Sequence, residues 1–325
     1  MFVIISIFTS EAATEQQEIK MDFRRFDIPK NFSALTEEER YRFGMMLFNI
    51  TARNINLDEF KMTALLKQFI AANKTESTFS TDSKVTIIGD LHGSLEDLIH
   101  IFTKTVNLQR FLRSDEHIVF LGDYVDRGTN GCKTLQFLLG LSLICPRVHL
   151  LRGNHENERI NKRDGFYEEV MSIYYEEMFV LIQNAFETLS PLVVLEQNGE
   201  KNLFVHGGAP VTSHSNLENI IYNLSIEEEW NVLWSDPTNE TENVQKNKRG
   251  AGVEYGINAF NEFKNRTGVK RVFRGHEVVD ELRDDFGDKT HFTVYSSRIE
   301  NKMGFAAILE NGEVREVKID WVPES

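Results

Sequence analysis

The sequence predicts an α/β fold built on mixed β-sheets, and three observations carry that reading. Five short apolar runs each end in a polar cluster containing a metal-type ligand; these clusters hold Asp90 and His92, Asp123, Asn154 and His155, His206, and His276. Helical patterns at Leu95 to Phe102 and Thr134 to Leu143 separate the first three runs. That is a repeated βαβ layout, which requires parallel strands. The C-terminal part changes character. Thr290 to Tyr295, Gly304 to Leu309 and Val314 to Asp320 read as strands separated by turns, in a mixed sheet or an antiparallel meander.

The remaining elements follow in chain order. Residues 1–30 read as an N-terminal tail, flexible or cleaved, and residues 31–325 as one domain. Phe2 to Phe8 is apolar, and Ser10-Glu11-Ala12 resembles a small-x-small cleavage site. No Lys or Arg precedes that run, and it falls short of the ~20 residues that span a bilayer. A cytoplasmic or nuclear protein with no membrane span is therefore expected, with secretion as the minority alternative. Ser33, Glu37-Glu38-Glu39 and then Phe43, Met46, Leu47 and Ile50 read as a capped amphipathic helix. Leu57 to Ile70 reads as a second helix, with Phe60, Leu65, Leu66 and Phe69 on its buried stripe. Phe166 to Ala185 is a long helical region, and Asn239 to Arg249 a polar loop.

Composition bounds the function. The 325 residues are 41% hydrophobic and 26% charged, enough for a large core. The net charge of −14 argues against a nucleic-acid partner, which selects a basic face. Two cysteines, Cys132 and Cys145, make no secreted disulfide framework and read as buried small apolar residues. Gly128 to Thr134 superficially matches a nucleotide phosphate loop, but the spacing of its glycines and lysine is wrong.

The five clusters suggest one site at the C-terminal edge of a sheet, where open α/β folds bind ligands. A glycine beside each ligand permits a sharp turn and close backbone approach. Asp, Asn and His together offer oxygen and nitrogen donors suited to first-row divalent metals. A lone histidine such as His206 is more often packed in a core; five concordant clusters reverse those odds. His155 directly follows Asn154, so its side chain should point elsewhere while staying near the metals. Asp126 is placed to orient that imidazole.

The same residues carry a family resemblance. Gly89-Asp90-Leu91-His92-Gly93, Gly122-Asp123-Tyr124-Val125-Asp126-Arg127-Gly128, Arg152-Gly153-Asn154-His155-Glu156, His206-Gly207-Gly208 and Arg274-Gly275-His276 resemble the motif set of the phosphoprotein phosphatases. These are metal-dependent serine/threonine protein phosphatases, with the type-1 and type-2A enzymes as members. Leu233 to Pro237 and Lys248-Arg249-Gly250 fit the same pattern, so the resemblance spans roughly residues 33 to 321. It implies a calcineurin-like metallophosphoesterase fold, a central β-sandwich of mixed sheets flanked by helices, with 31–325 as the catalytic domain. It implies two divalent ions, manganese or iron and zinc, and metal-activated water attack on phosphoserine and phosphothreonine.

By that resemblance Asp90, His92 and Asp123 hold one ion, and Asp123, Asn154, His206 and His276 the other. His155 is the general acid and Asp126 its partner. Arg127, Arg249 and Asn154 bind the phosphate, and Asp236 supports the site from behind. The implied partners are phosphoprotein substrates and a regulatory or targeting subunit. Two alternatives stand beside this reading: a small-molecule phosphoesterase resembling the dinucleoside tetraphosphatases, and a non-catalytic binding protein on the same scaffold. The chain departs from the type-1 and type-2A pattern at Tyr295 to Asn301 and at Gly275 and Glu277. The first departure is expected to put Arg298 and Glu300 near the active-site rim and to reduce sensitivity to the family's natural-product inhibitors.

Overall fold

The computed structural model describes residues 26–72, 77–298 and 303–319. Most of the segment expected as a tail lies outside them, but Phe26 and Ile28 are buried, and Phe26 stacks on Phe43 at 5.4 Å between ring centroids. Helix α1 (Glu37–Ala52) is capped by Thr36 rather than Ser33. The Thr36 side chain accepts from the Glu39 N–H, and the Glu39 carboxylate accepts from the Thr36 N–H at 2.9 Å. That reciprocal pair satisfies two otherwise unbonded N–H groups. Ser33 sits instead in a short turn, Phe32–Ala34, capped by Asn31. Helix α2 (Glu59–Ala72) buries Met62, Leu65, Leu66 and Phe69, a single helical face, whereas Phe60 is off that face and 78% exposed.

Strands β1 (Thr78–Ser80) and β2 (Val85–Ile88) lead to α3 (Leu95–His100), α4 (Leu108–Phe111), β3 (His117–Phe120), α5 (Gly131–Ile144) and β4 (Val148–Leu150). Helices α6 (Glu158–Asp164), α7 (Phe166–Ile173) and α8 (Glu176–Phe186) follow. The long helical region is thus broken at Tyr174, which is extended and donates its hydroxyl to the Leu57 carbonyl at 2.6 Å. Next come β5 (Leu192–Gln197), β6 (Glu200–Val205), α9 (Leu217–Tyr222), α10 (Ile226–Trp234), β7 (Asp236–Pro237), β8 (Val244–Lys246) and β9 (Val253–Tyr255). Helix α11 (Ile257–Thr267) precedes β10 (Val269–Arg274), β11 (Arg283–Asp284), β12 (His291–Thr293), β13 (Gly304–Glu310) and β14 (Glu313–Ile319).

Two sheets form a sandwich. One runs β14-β13-β2-β3-β4, with β2, β3 and β4 parallel. The other runs β1-β5-β6-β10-β12-β11, with β6, β10 and β12 parallel. A small third sheet, β7-β9-β8, lies in the polar-loop region. The expected C-terminal meander divides between the sheets. β12 pairs with β10, and only β13 and β14 form an antiparallel hairpin against β2. Between them the chain crosses over, with Tyr295 bridged to Asp90.

Alternation along the strands builds three cores, because successive side chains face opposite sides. Val85, Ile87 and Val119 join Val193, Leu195, Phe204 and Phe273 between the sheets. Ile88, Ile118 and Phe120 face outward onto α1, α2, α5 and α8. Leu192, Val194, Leu203 and Val205 face the other way, onto α9, α10 and α11. Cys132 and Cys145 are free, buried thiols. The decoy phosphate loop is closed to anions, because the N–H groups of Gly131 and Cys132 already donate to the Glu169 carboxylate at 2.9 and 2.8 Å. No helix among the described residues is long and apolar enough to cross a membrane.

Candidate metal centre and active site

All five ligand clusters fall where their strands end. Contrary to the expectation of one sheet edge, they occupy neighbouring ends of two sheets: β2, β3 and β4 on one side, β6 and β10 on the other. Crowding there demands glycine at two positions. A Cβ at Gly275 would stand 2.4 Å from Asp90 Oδ1, and one at Gly153 would stand 2.2 Å from Asp123 Oδ1. The turns are also strained. His92, Asp123, Asp126, Arg127 and His276 have φ of 47°, 55°, 68°, 64° and 70°, half of the non-glycine positive-φ residues among those described. Such conformations cluster where function over-determines the backbone.

Each carboxylate is fixed by one oxygen and offers the other. Asp90 Oδ1 accepts from the His276 N–H and Asp123 Oδ1 from the His155 N–H, both at 2.9 Å. Asp90 Oδ2 and Asp123 Oδ2 each lie 3.7 Å from His92 Nε2. His92 Nδ1 donates to the Val125 carbonyl at 3.0 Å, which leaves Nε2 as the acceptor; it is buried without a hydrogen-bond partner. His206 is set the same way, its Nδ1 on the Leu121 carbonyl at 3.0 Å. Its Nε2 lies 2.8 Å from Asn154 Oδ1, 3.2 Å from His276 Nδ1 and 3.3 Å from Asp123 Oδ2. Such a convergence of nitrogen and oxygen donors fits a divalent metal. Two triads of donor atoms stand out, His92–Asp123–His155 and Asp123–His206–His276, and Asp123 belongs to both.

His155 differs from the other histidines. Its Nδ1 is 2.8 Å from Asp126 Oδ2, and its Nε2 is 3.9 Å from Asp123 Oδ2. Asp126 also accepts from Asn161 Nδ2 at 2.8 Å and from the Phe166 N–H at 3.0 Å, so the imidazole is held against a rigid base.

Charge follows environment. Burial opposes ionisation of Asp123, but His206 and His155 outweigh it and hold this carboxyl well below the usual range. Burial pushes Asp90 up to about 6, with Asp123's negative charge adding to it. Burial drives His92 down to about 3. Burial also opposes the charged form of His206, yet Asp123 overrides it and raises the imidazole to about 9. The same contest raises His155, through Asp123 and the Asp126 hydrogen bond.

The supporting roles of several residues were not visible in sequence, although two of them, Glu156 and Arg274, lie within the motifs. Glu156, fully buried, accepts from the Asp123 and Gly153 N–H groups at 2.8 Å each and from the Tyr124 N–H at 2.9 Å. It binds two ligand turns together. Its position beside Asn154 and His155 was the only signal. Asn161 donates to the His155 carbonyl at 2.7 Å as well as to Asp126. Arg274, fully buried, pairs with Asp236 at 2.8 Å.

The two arginine candidates for phosphate binding lie on separate loops, after β3 and between β8 and β9. Arg127 is exposed, with its N–H on the Asp164 carbonyl at 3.0 Å, and its charge acts on Asp90, His92 and His155. Arg249 pairs with Asp236 at 2.8 Å, and the Asp236 carboxyl, though opposed by burial, is lowered by Arg274 and Arg249. Asp236 is therefore more than a turn residue. Arg298 is not the free rim charge expected. Its N–H donates to Asp97 Oδ2 at 2.9 Å and its guanidinium pairs with the same carboxylate, while Glu300 lies outside the described residues.

Comparison with known proteins agrees with this architecture. The family model for calcineurin-like phosphoesterases matches residues 83–280. The chain belongs to that family of metal-dependent phosphoesterases, whose chemistry uses divalent metal ions. Within it, the relatives place the chain in the phosphoprotein phosphatase family. It is 31% identical over 252 residues to the serine/threonine-protein phosphatase 4 catalytic subunit of Kluyveromyces lactis, covering 75% of this chain and 79% of that protein. It is 32% identical over 250 residues to a serine/threonine-protein phosphatase of Caenorhabditis elegans, covering 74% of this chain but 53% of that one. A relative from Encephalitozoon cuniculi, 34% identical, is covered over 49% of its length, so the chain spans about half of these two relatives. A solved serine/threonine phosphatase from Saccharomyces cerevisiae shares the fold, with a TM-score of 0.74 at 21% identity over 90% of this chain and 98% of that one.

Proposed function

We propose that the protein hydrolyses phosphoserine and phosphothreonine monoesters at a dinuclear metal centre. The observation that carries this reading is the His155–Asp126 pair at 2.8 Å beside donors that converge on Asp123. Asp90, His92 and Asp123 would hold one ion, and Asp123, Asn154, His206 and His276 the other. Manganese, or iron with zinc, suits such donors. Bound divalent ions would supply Lewis-acid stabilisation of the phosphoryl charge. The protein's own groups do the rest. Arg127 and Arg249 take phosphate oxygens with planar, charge-assisted donors and hold the ester in line. Asn154 adds a neutral contact at the same oxygens. As water attacks phosphorus opposite the ester oxygen, His155, with Nδ1–H held by Asp126, delivers the Nε2 proton to the departing serine or threonine oxygen, and the water's oxygen leaves within inorganic phosphate while its released proton restores the imidazolium. Glu156 keeps the turns of Asp123 and Asn154 in register.

The natural substrates are phosphoproteins, and a regulatory or targeting subunit selects them. The relationship to a catalytic subunit, the phosphatase 4 protein of K. lactis, supports that partner. A metal-dependent assay on a phosphopeptide library, run beside diadenosine tetraphosphate, tests the reading. Phosphopeptide turnover that requires added metal is expected. Preferential cleavage of the dinucleotide would overturn it.

A further inference from the structure

Behind Arg249 runs a ladder of alternating charge, buried at Asp236, Arg274 and Asp285 and part-exposed at Glu277 and Arg283. Arg249 Nε is 2.8 Å from Asp236 Oδ2, and Asp236 Oδ1 is 2.8 Å from Arg274 Nη2. Arg274 pairs with Glu277, Glu277 with Arg283, and Arg283 with Asp285. Asp285 continues to His291 Nδ1 at 2.7 Å, and His291 Nε2 meets the Tyr255 hydroxyl at 2.7 Å. That hydroxyl accepts the Ala209 N–H at 3.0 Å, while Arg274 Nε donates to the Gly207 carbonyl. The ladder therefore returns to the chain just after His206. Asn247 closes the near end, donating to Asp236 Oδ2 at 2.9 Å and accepting the Arg249 N–H at 2.8 Å.

Three arginines and three carboxylates alternate in this ladder, and the guanidinium of Arg274 has no solvent exposure. Stability alone does not call for such an arrangement, because well-packed apolar groups commonly serve a fold as well as buried ion pairs do. The ladder has one open end. Arg249 is 40% exposed and is gripped only through its N and Nε groups, so none of the described residues engages its Nη groups. A guanidinium fixed at Nε presents both Nη donors in a set direction, with little rotamer freedom left to lose on binding an anion.

We infer that Asp236 and Arg274 are positioning residues, and that the ladder behind them pre-sets Arg249 as a rigid clamp for a phosphoryl group. The inference rests on the reading of Arg249 as a phosphate ligand. Its test uses the metal-loaded full chain and inorganic phosphate as the probe, with Kd read by titration calorimetry and KM and kcat read on nitrophenyl phosphate. Asp236→Asn should weaken phosphate binding and raise KM by about tenfold, with a smaller change in kcat and unaltered metal content. In an Arg249→Ala background the same substitution should add nothing, because the clamp it orients is gone. Glu277→Gln, two links further along the ladder and part-exposed, should shift Kd in the same direction by less, and it carries the test if Asp236→Asn fails to fold. Additive losses, or an equal fall in every parameter together with a lower melting temperature, would overturn the positioning role. Wild-type protein that binds phosphate without turnover would overturn the hydrolase reading and leave this inference standing. Absence of phosphate binding would overturn both.

Discussion

His149 and His155 stand six positions apart, one on β4 and the other just beyond it, and both are buried. Their surroundings could hardly differ more. His149 stacks on Phe79 with ring centroids 3.9 Å apart, and its Nε2 meets His117 Nδ1 at 3.0 Å. Burial pushes His149 down to about 3, with the charge of His117 adding to the effect. Burial acts on His155 in the same direction, but Asp123 and Asp126 reverse it. Burial by itself favours a neutral packing ring; a carboxylate partner favours the protonated one.

The strongest way to break this contrast is to remove the charge that the whole centre shares. Asp123→Asn should strip both metals and lower turnover by more than the ~10²–10³ that one electrostatic stabiliser is worth. Elemental analysis beside an activity assay checks it; full metal occupancy with near-normal turnover would refute the bridging role.

Removing the acid itself should come next. His155→Ala should keep its metals and lose ~10²–10⁴ in rate on a phosphopeptide. The loss should shrink on nitrophenyl phosphate, whose leaving group needs little protonation. Equal losses on the two substrates would count against the proton-donor role.

Asp126→Asn sharpens the comparison by making His155 more like His149. A loss of about 10- to 100-fold is expected. The sign of the pH effect is fixed: an acid works while protonated, so activity falls as pH rises through its pKa. Without the carboxylate that raises it, the alkaline limb should move to lower pH. A pH–rate profile with that limb unmoved would show that Asp126 does not tune His155.

The smallest effect belongs to the inert histidine. The pKa of His149 is depressed in the fold, so its contribution to stability is fully present above about 6.5, the unfolded value. It is lost as pH falls from there toward about 3, by up to about 1.4 kcal/mol per unit. His149→Phe should flatten urea-measured stability between pH 7 and 5 and leave activity unchanged. A slope identical to wild type would exclude the ring as its source.

The contrast also marks what the chain reveals before it folds. The gathering of Asp90, His92, Asp123, Asn154, His206 and His276 was legible because each follows its own apolar strand. The Asp126–His155 pair was legible from two adjacent motifs. What escaped depends on distant pairing. Nothing local says that β12 joins β10 rather than β13. Nothing local says that Arg298 is engaged by Asp97, or that Arg274 lies between Asp236 and Glu277. Local competition misled at α1, where Thr36 rather than Ser33 stands at the right distance from Glu39 for a reciprocal cap.

The position of Asp123 has a thermodynamic consequence. It extends from one sheet of the sandwich while His206 and His276 extend from the other. A cation shared among them is a cross-link between the two halves of the molecule, so affinity for the ion and cohesion of the sandwich become a single linked quantity. An ion held at a hundred times its dissociation constant adds about 2.7 kcal/mol to the folded state. The melting temperature should then climb with free metal concentration and fall on chelation, and weakening either sheet's grip on its donors should loosen both.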